Sequence, residues 1–208
     1  MKDELERRSF NFEVRAEETD RGHIITGLPI VYGSKTNMGD FDEVIDYGAL
    51  DGADLTDVRF LVNHDISRIP LARSRRNNGN NTMQFSIVPE GLNIDWVDLD
   101  VENNSEARAL YSAVKRGDVS GMSFMFSIRD FGWEGLDTDR PIKHIKKIGS
   151  IVELSAVTFP AYQDTKIYAR SKAALENARS ALEKARQQRA ASLEKDEVEK
   201  LKIKIQIM

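Results

Sequence analysis

Three histidines and no cysteine narrow the chemistry open to this chain. Without a thiol there is no disulfide, no thiolate metal site and no cysteine nucleophile, so any nucleophile must be an oxygen. His64 stands apart from the other two histidines. It closes the β-prone run Val58-Arg-Phe-Leu-Val-Asn-His64 and stands between Asn63 and Asp65. That places an imidazole where a strand leaves a sheet, near the interior and among polar neighbours, as a general base requires. A His-Asp pair that merely caps a loop fits the same spacing. His23 follows Asp20-Arg-Gly22, and His144 lies among Lys143, Lys146 and Lys147, so both read as solvated surface histidines.

Ser120 and Ser123 lie in Asp118-Val-Ser-Gly-Met-Ser-Phe-Met-Phe-Ser127, where Gly121 permits a tight turn just before an apolar strand. A serine there either fills a turn or points into a cleft. Its hydroxyl is a weak nucleophile until an imidazole accepts the proton and a further group holds that imidazole in the right tautomer. Gly121-Met-Ser-Phe-Met125 is not a nucleophile elbow, because Met125 stands where G-x-S-x-G needs its final glycine and no helix clearly follows, so the segment does not predict an α/β-hydrolase. Glu153, inside Ile151-Val-Glu-Leu-Ser-Ala-Val157, puts a carboxylate in a core-like strand. Burying it costs several kcal/mol unless it is paired, either with an arginine or with a catalytic histidine. No H-x-x-x-H or comparable ligand spacing accompanies His64 and Asp65, so the pattern does not predict a metal site.

The elements that must position these residues are mostly strands. Phe10 to Val14, Gly22 to Leu28 and Ile30 to Tyr32 read as short strands, and Phe41 to Tyr47 fits an irregular strand or a short helix equally well. Arg73 to Asn81 reads as a polar loop. Met83 to Val88, Pro89-Glu-Gly91 and Leu92 to Leu99 read as a hairpin. Residues 105 to 117 form the clearest helix, with Ser105 to cap it, Ala107, Leu110, Tyr111 and Val114 on one face, and Gly117 to end it. Met122 to Ile128 and Ile148 to Phe159 read as strands buried on both faces. From Ser171 the composition turns to Ala, Leu, Glu, Lys, Arg and Gln. Leu175, Ala178, Leu182 and Ala185 keep a helical stripe that predicts an appended, solvated or partner-docking helix. Leu201 to Met208 alternates like a lone strand.

At 208 residues and 40% hydrophobic composition the chain can bury one sizeable core, which predicts one functional domain over residues 1–170 and a tail over 171–208. The N-terminus is charged, and no apolar run approaches the roughly 18 residues a membrane span needs, so a soluble, non-exported protein is expected. The formal net charge of −4 lacks the basic excess of a nucleic-acid binder. Arg73, Arg75 and Arg76 form a local basic cluster without interleaved aromatics, the mark of a solvated loop. A protein or peptide partner is expected, with no cofactor.

Taken in order, Val62-Asn-His-Asp65 with Leu71-Ala-Arg73, Pro89-Glu-Gly-Leu92, Arg116-Gly-Asp-Val-Ser-Gly-Met-Ser-Phe124 and Ile151-Val-Glu-Leu-Ser-Ala-Val-Thr-Phe-Pro-Ala161 resemble the tailed-phage prohead protease family. The resemblance spans roughly Phe10 to Ala169. It implies an α+β fold related to the herpesvirus assembly proteases, with a mainly antiparallel, β-barrel-like core flanked by helices and the C-terminal helical tail. It also implies a serine endopeptidase that cuts scaffold, or a scaffold-like extension of the major capsid protein, and itself, inside the immature capsid in the host cytoplasm. A homodimer follows by analogy only. Residue by residue, His64 matches the family's histidine, Ser123 its nucleophile and Glu153 an acidic third member, with Ser120 as the fallback nucleophile and Arg73 as a candidate neighbour of the oxyanion. Met125 and the Leu71-Ala-Arg73 triplet depart from the family pattern, where glycines are frequent, and both bear on the backbone near the oxyanion. A non-catalytic assembly factor that docks on scaffold through the tail is the rival expectation, and a metal-dependent hydrolase is a second.

Overall fold

The computed structural model describes residues 5–10, 14–75, 80–158 and 172–207. These described residues form eleven strands and two helices, in chain order β1 (Leu5–Phe10), β2 (Val14–Thr19), β3 (Gly22–Val31), β4 (Lys35–Asn37), β5 (Asp42–Ile45), β6 (Asp57–Val62), β7 (Ala72–Arg75), β8 (Met83–Val88), β9 (Gly91–Asp98), α1 (Ser105–Arg116), β10 (Gly121–Glu134), β11 (Ile142–Val157) and α2 (Lys172–Ile207). The fold is α+β and mainly antiparallel.

Strand β11 organises the larger, seven-stranded sheet. One of its edges pairs antiparallel with β10, while the other pairs in parallel with β5 through Ile142 to Ile145 and with β6 through Glu153 to Ala156. β1 lies antiparallel on the free edge of β10, β4 on β5, and β7 on β6. The smaller sheet runs β2-β3-β9-β8. Among the described residues the pairings form two open sheets, without the closed barrel that the resemblance implies. The main core joins Ile25, Ile30, Leu92, Ile94 and Val97 of the smaller sheet to Phe60, Met122, Phe124, Phe126, Leu154 and Ala156 of the larger. Its large, almost fully buried side chains, each contributing on the order of 3–5 kcal/mol where aromatic, fix the sheets that carry the site.

Several elements differ from the sequence reading. The two strands expected over Gly22 to Leu28 and Ile30 to Tyr32 are one, β3, and it tolerates Pro29 because its pairing to β9 is irregular between Gly27 and Ile30. Phe41 to Tyr47 resolves as β5, and the start of the expected loop at Arg73 is β7, whose Arg73 sits opposite Arg59. Asn104 rather than Ser105 caps α1: its side-chain oxygen accepts from the backbone N–H groups of Glu106 and Ala107. Gly117 ends the helix in the left-handed conformation, as expected. Replacing Asn104 with Ala should cost about 1 kcal/mol, measurable as a lower denaturation midpoint.

The alternating C-terminal run is not a strand, since α2 continues to Ile207. Nor is the whole helix solvated. Ala178 and Leu182 are buried against Met38 and Phe41, Arg179 pairs with Asp40 at 2.5 Å, and Arg186 donates to the carbonyls of Leu136 and Thr138. From Ala191 to Lys200 it is exposed. Leu182→Asp would drive a charge into this small apolar cluster. Faster amide exchange in residues 176–190, with the strands unchanged, is the expected result. No helix of the described residues is long and apolar enough to cross a membrane.

Candidate active site

Register brings the candidate residues together. In a strand, residues i and i+2 share a face, and directly opposed residues of neighbouring strands point the same way. Ser123 of β10 lies opposite Ser155 of β11, and Glu153 is two residues before Ser155. Ser123, Glu153 and Ser155 therefore line one face, while Met122, Phe124, Leu154 and Ala156 between them enter the main core on the other. His64 comes from β6, which pairs with β11 over the same residues: Glu153 lies beside Arg59 and Ala156 beside Val62.

Two residues beyond β6 the chain turns back over this face. Asn63 and His64 have φ of 52° and 59°, and they alone among the described non-glycine residues take positive φ. Such backbone is strained for a non-glycine residue and persists only where the surroundings hold it. Here they do. The Asn63 N–H donates to the Ala156 carbonyl at 2.9 Å, the Asn63 side chain accepts from the Thr158 N–H at 2.9 Å, and the His64 N–H donates to Ser155 Oγ at 3.2 Å.

The side chains then form a line. Ser123 Oγ lies 2.5 Å from His64 Nε2, and His64 Nδ1 bonds Glu153 Oε1. A carboxylate only accepts, so Nδ1 carries the proton that is shared with Glu153, and a neutral ring then presents its lone pair at Nε2 to the serine hydroxyl. Ser155 Oγ–H donates to Glu153 Oε2 at 2.5 Å. Ser123 is fully buried, Glu153 is 2% exposed and His64 9%. Ser123 Oγ also donates to the Arg8 carbonyl of β1 at 2.7 Å. One hydroxyl proton thus has two acceptors.

Of the sequence candidates, the structure joins His64, Ser123 and Glu153. Ser120 is exposed in the turn before β10. Arg73 is held elsewhere, with Nε and a terminal nitrogen on the two Asp57 oxygens at 2.6 and 2.7 Å. This pairing draws the Asp57 carboxyl below its ordinary range, against a smaller opposing effect of burial. His23 lies in β3 with its ring edge-on to Tyr111, and His144 lies in β11, half-buried, bonded to Asp46 and Glu134. Among the described residues no three His, Asp or Glu side chains gather as a metal site would need.

The sequence reading missed Ser155, although Glu-Leu-Ser already places it on the face of Glu153. It braces both Glu153 and the His64 backbone, so it is a positioning residue. Ser155→Ala should lower kcat about 10- to 100-fold by loosening that line, with KM nearly unchanged, whereas Ser155→Thr, which keeps the hydroxyl, should restore part of the loss.

The family profile described as caudovirus prohead serine protease matches residues 10–180. No curated protein and no solved structure matches the chain.

Proposed function

Because the chain belongs to the caudovirus prohead serine protease family, we propose that it is a serine endopeptidase of capsid maturation whose nucleophile is Ser123. The observation that carries this reading is the uninterrupted contact from Ser123 Oγ through the His64 ring to Glu153. His64 Nε2 takes the hydroxyl proton as Oγ attacks the scissile carbonyl carbon, and Glu153 stabilises the imidazolium that forms. As the C–N bond breaks, Nε2 returns the proton to the leaving amine. Water, deprotonated by the same nitrogen, then cleaves the acyl ester and restores the serine. This chemistry asks nothing of a metal or cofactor.

The substrates in this reading are the scaffolding protein, or a scaffold-like extension of the major capsid protein, and the chain itself, cut within the prohead in the host cytoplasm. Residues 1–170 form the protease domain and 171–208 the tail, in a core related to that of the herpesvirus assembly proteases, acting as a homodimer. A non-catalytic assembly factor docking through α2 is the other reading; the exposed stretch from Ala191 to Lys200 is what favours it.

The test is co-expression of the wild-type chain or Ser123→Ala with the capsid and scaffold proteins of the same source, followed by mass spectrometry. Fragments with wild type alone are expected. Intact scaffold and capsid protein in both, within assembled shells, would leave the assembly-factor reading.

A further inference from the structure

The buried charged side chains of the described residues gather in two places. One is the His64–Glu153 couple. The other is Arg8, Glu43 and Lys143, each 3% exposed. The Arg8 guanidinium bonds both Glu43 oxygens, with one bond at 2.8 Å, contacts Glu6 of its own strand, and lies 5.4 Å from the centre of the Phe126 ring. Lys143 Nζ is 3.2 Å from Glu43 and 3.7 Å from Glu6. Although burial opposes a charged guanidinium, the Glu43 and Glu6 carboxylates outweigh it and hold Arg8 firmly protonated.

A buried ion pair of this kind is a poor stabiliser, because desolvation consumes most of the Coulombic gain. Its position is more telling. Among the described residues β1 is a six-residue edge strand paired only to β10, with Ser9 opposite Ser123 and Arg8 opposite Phe124. Its Arg8 carbonyl accepts from the Ser123 hydroxyl. An extended chain added to a sheet edge, main chain paired and alternate side chains in pockets, is how folded proteins commonly bind peptides. Glu6 and Arg8, two residues apart, share the face that meets Glu43 and Lys143. Residues Leu5 to Ser9 lie ahead of the family match, which begins at residue 10.

We propose that the edge of β10 covered by β1 is the substrate-binding edge, that substrates add there as antiparallel strands in the register of β1, and that Glu43 selects a basic residue immediately before the scissile bond. Lys143 correspondingly favours an acidic residue two positions earlier. β1 is a substrate mimic held in cis, with Glu6 and Arg8 filling the two subsites and the Arg8–Ser9 bond at the place of cleavage. The proposal rests on Ser123 being the nucleophile.

The test uses the full chain co-expressed with the scaffold and capsid proteins, and maps every fragment end that Ser123→Ala abolishes. Those ends are expected after Arg or Lys. Glu43→Gln should slow their formation about 100-fold, the scale of losing one partner of a buried charge pair. Replacing the basic residue by Leu at a mapped site in the substrate, which leaves the enzyme untouched, should slow that cut to a similar extent. Ser123-dependent ends without a basic preference, or a basic-to-Leu substrate cut at the parental rate, would overturn the specificity while leaving the protease reading intact. The absence of any Ser123-dependent fragment would remove both.

Discussion

Ser123→Ala is expected to reduce proteolysis by about 10⁴-fold or more while the protein stays folded. The magnitude follows from removing the atom that forms the acyl bond in the proposed mechanism: whatever turnover remains must come from binding and oxyanion stabilisation alone. The structural cost is small. Ser123 is fully buried, so the substitution deletes one hydroxyl and its contacts to His64 and Arg8, a change of about 1 kcal/mol for a typical hydrogen bond. The unfolding midpoint should therefore fall by only a few degrees, roughly 2–4 °C on the usual scaling for a chain of this size. Ser120→Ala supplies the contrast. Its residue is exposed, and with that side chain removed the chain should cleave near the parental rate. Product analysis by mass spectrometry, alongside thermal unfolding of the same samples, reads all three quantities.

Glu153→Gln should follow closely, with kcat lower by about 10³- to 10⁴-fold and KM little changed. Gln fits the space of Glu153, and its carbonyl can still accept from Ser155. Its NH₂, however, can donate to His64 Nδ1, which places the ring proton on Nε2 and takes away the lone pair that Ser123 needs. Glu153→Leu separates this effect from folding. That change strands two buried donors, the His64 Nδ1–H and the Ser155 hydroxyl, each costing roughly 1–3 kcal/mol. A variant series in which Gln loses rate without stability and Leu loses both is the expected pattern. Equal stability losses would instead describe Glu153 as a purely structural buried acid.

The three residues of the candidate site were legible because their chemistry is local in sequence: an apolar run ending at His64, a turn glycine before Ser123 and a lone carboxylate among apolar residues at Glu153. Their proximity was not. It depends on β11 pairing with β10 and with β6 along opposite edges, a register that no local pattern states. The distal halves of β10 and β11 escaped for another reason. Arg129, Asp130, Lys143, Lys146 and Lys147 break the apolar run, yet the chain stays paired there. Arg73 and Arg75 likewise looked like a loop because charge is read as solvation, whereas Arg73 sits in a short strand and spends its charge on Asp57. At the C-terminus, alternating Lys and Ile suggested a strand, but the residues continue a helix already running from Lys172. The Arg8–Glu43 contact joins residues 35 apart in sequence and had no local signature.

The most direct test of the central claim is to treat a preparation that is actively cutting scaffold with a serine-directed fluorophosphonate and map the adduct by peptide mass spectrometry. Since the enzyme is turning over, the buried serine must be reachable during the reaction. Cleavage should stop as a single phosphonyl group accumulates on Ser123, and neither adduct nor cleavage should be seen with His64→Ala. Undiminished cleavage without an adduct, or inactivation with the adduct on Ser120, would contradict the assignment of Ser123 as the nucleophile that His64 activates.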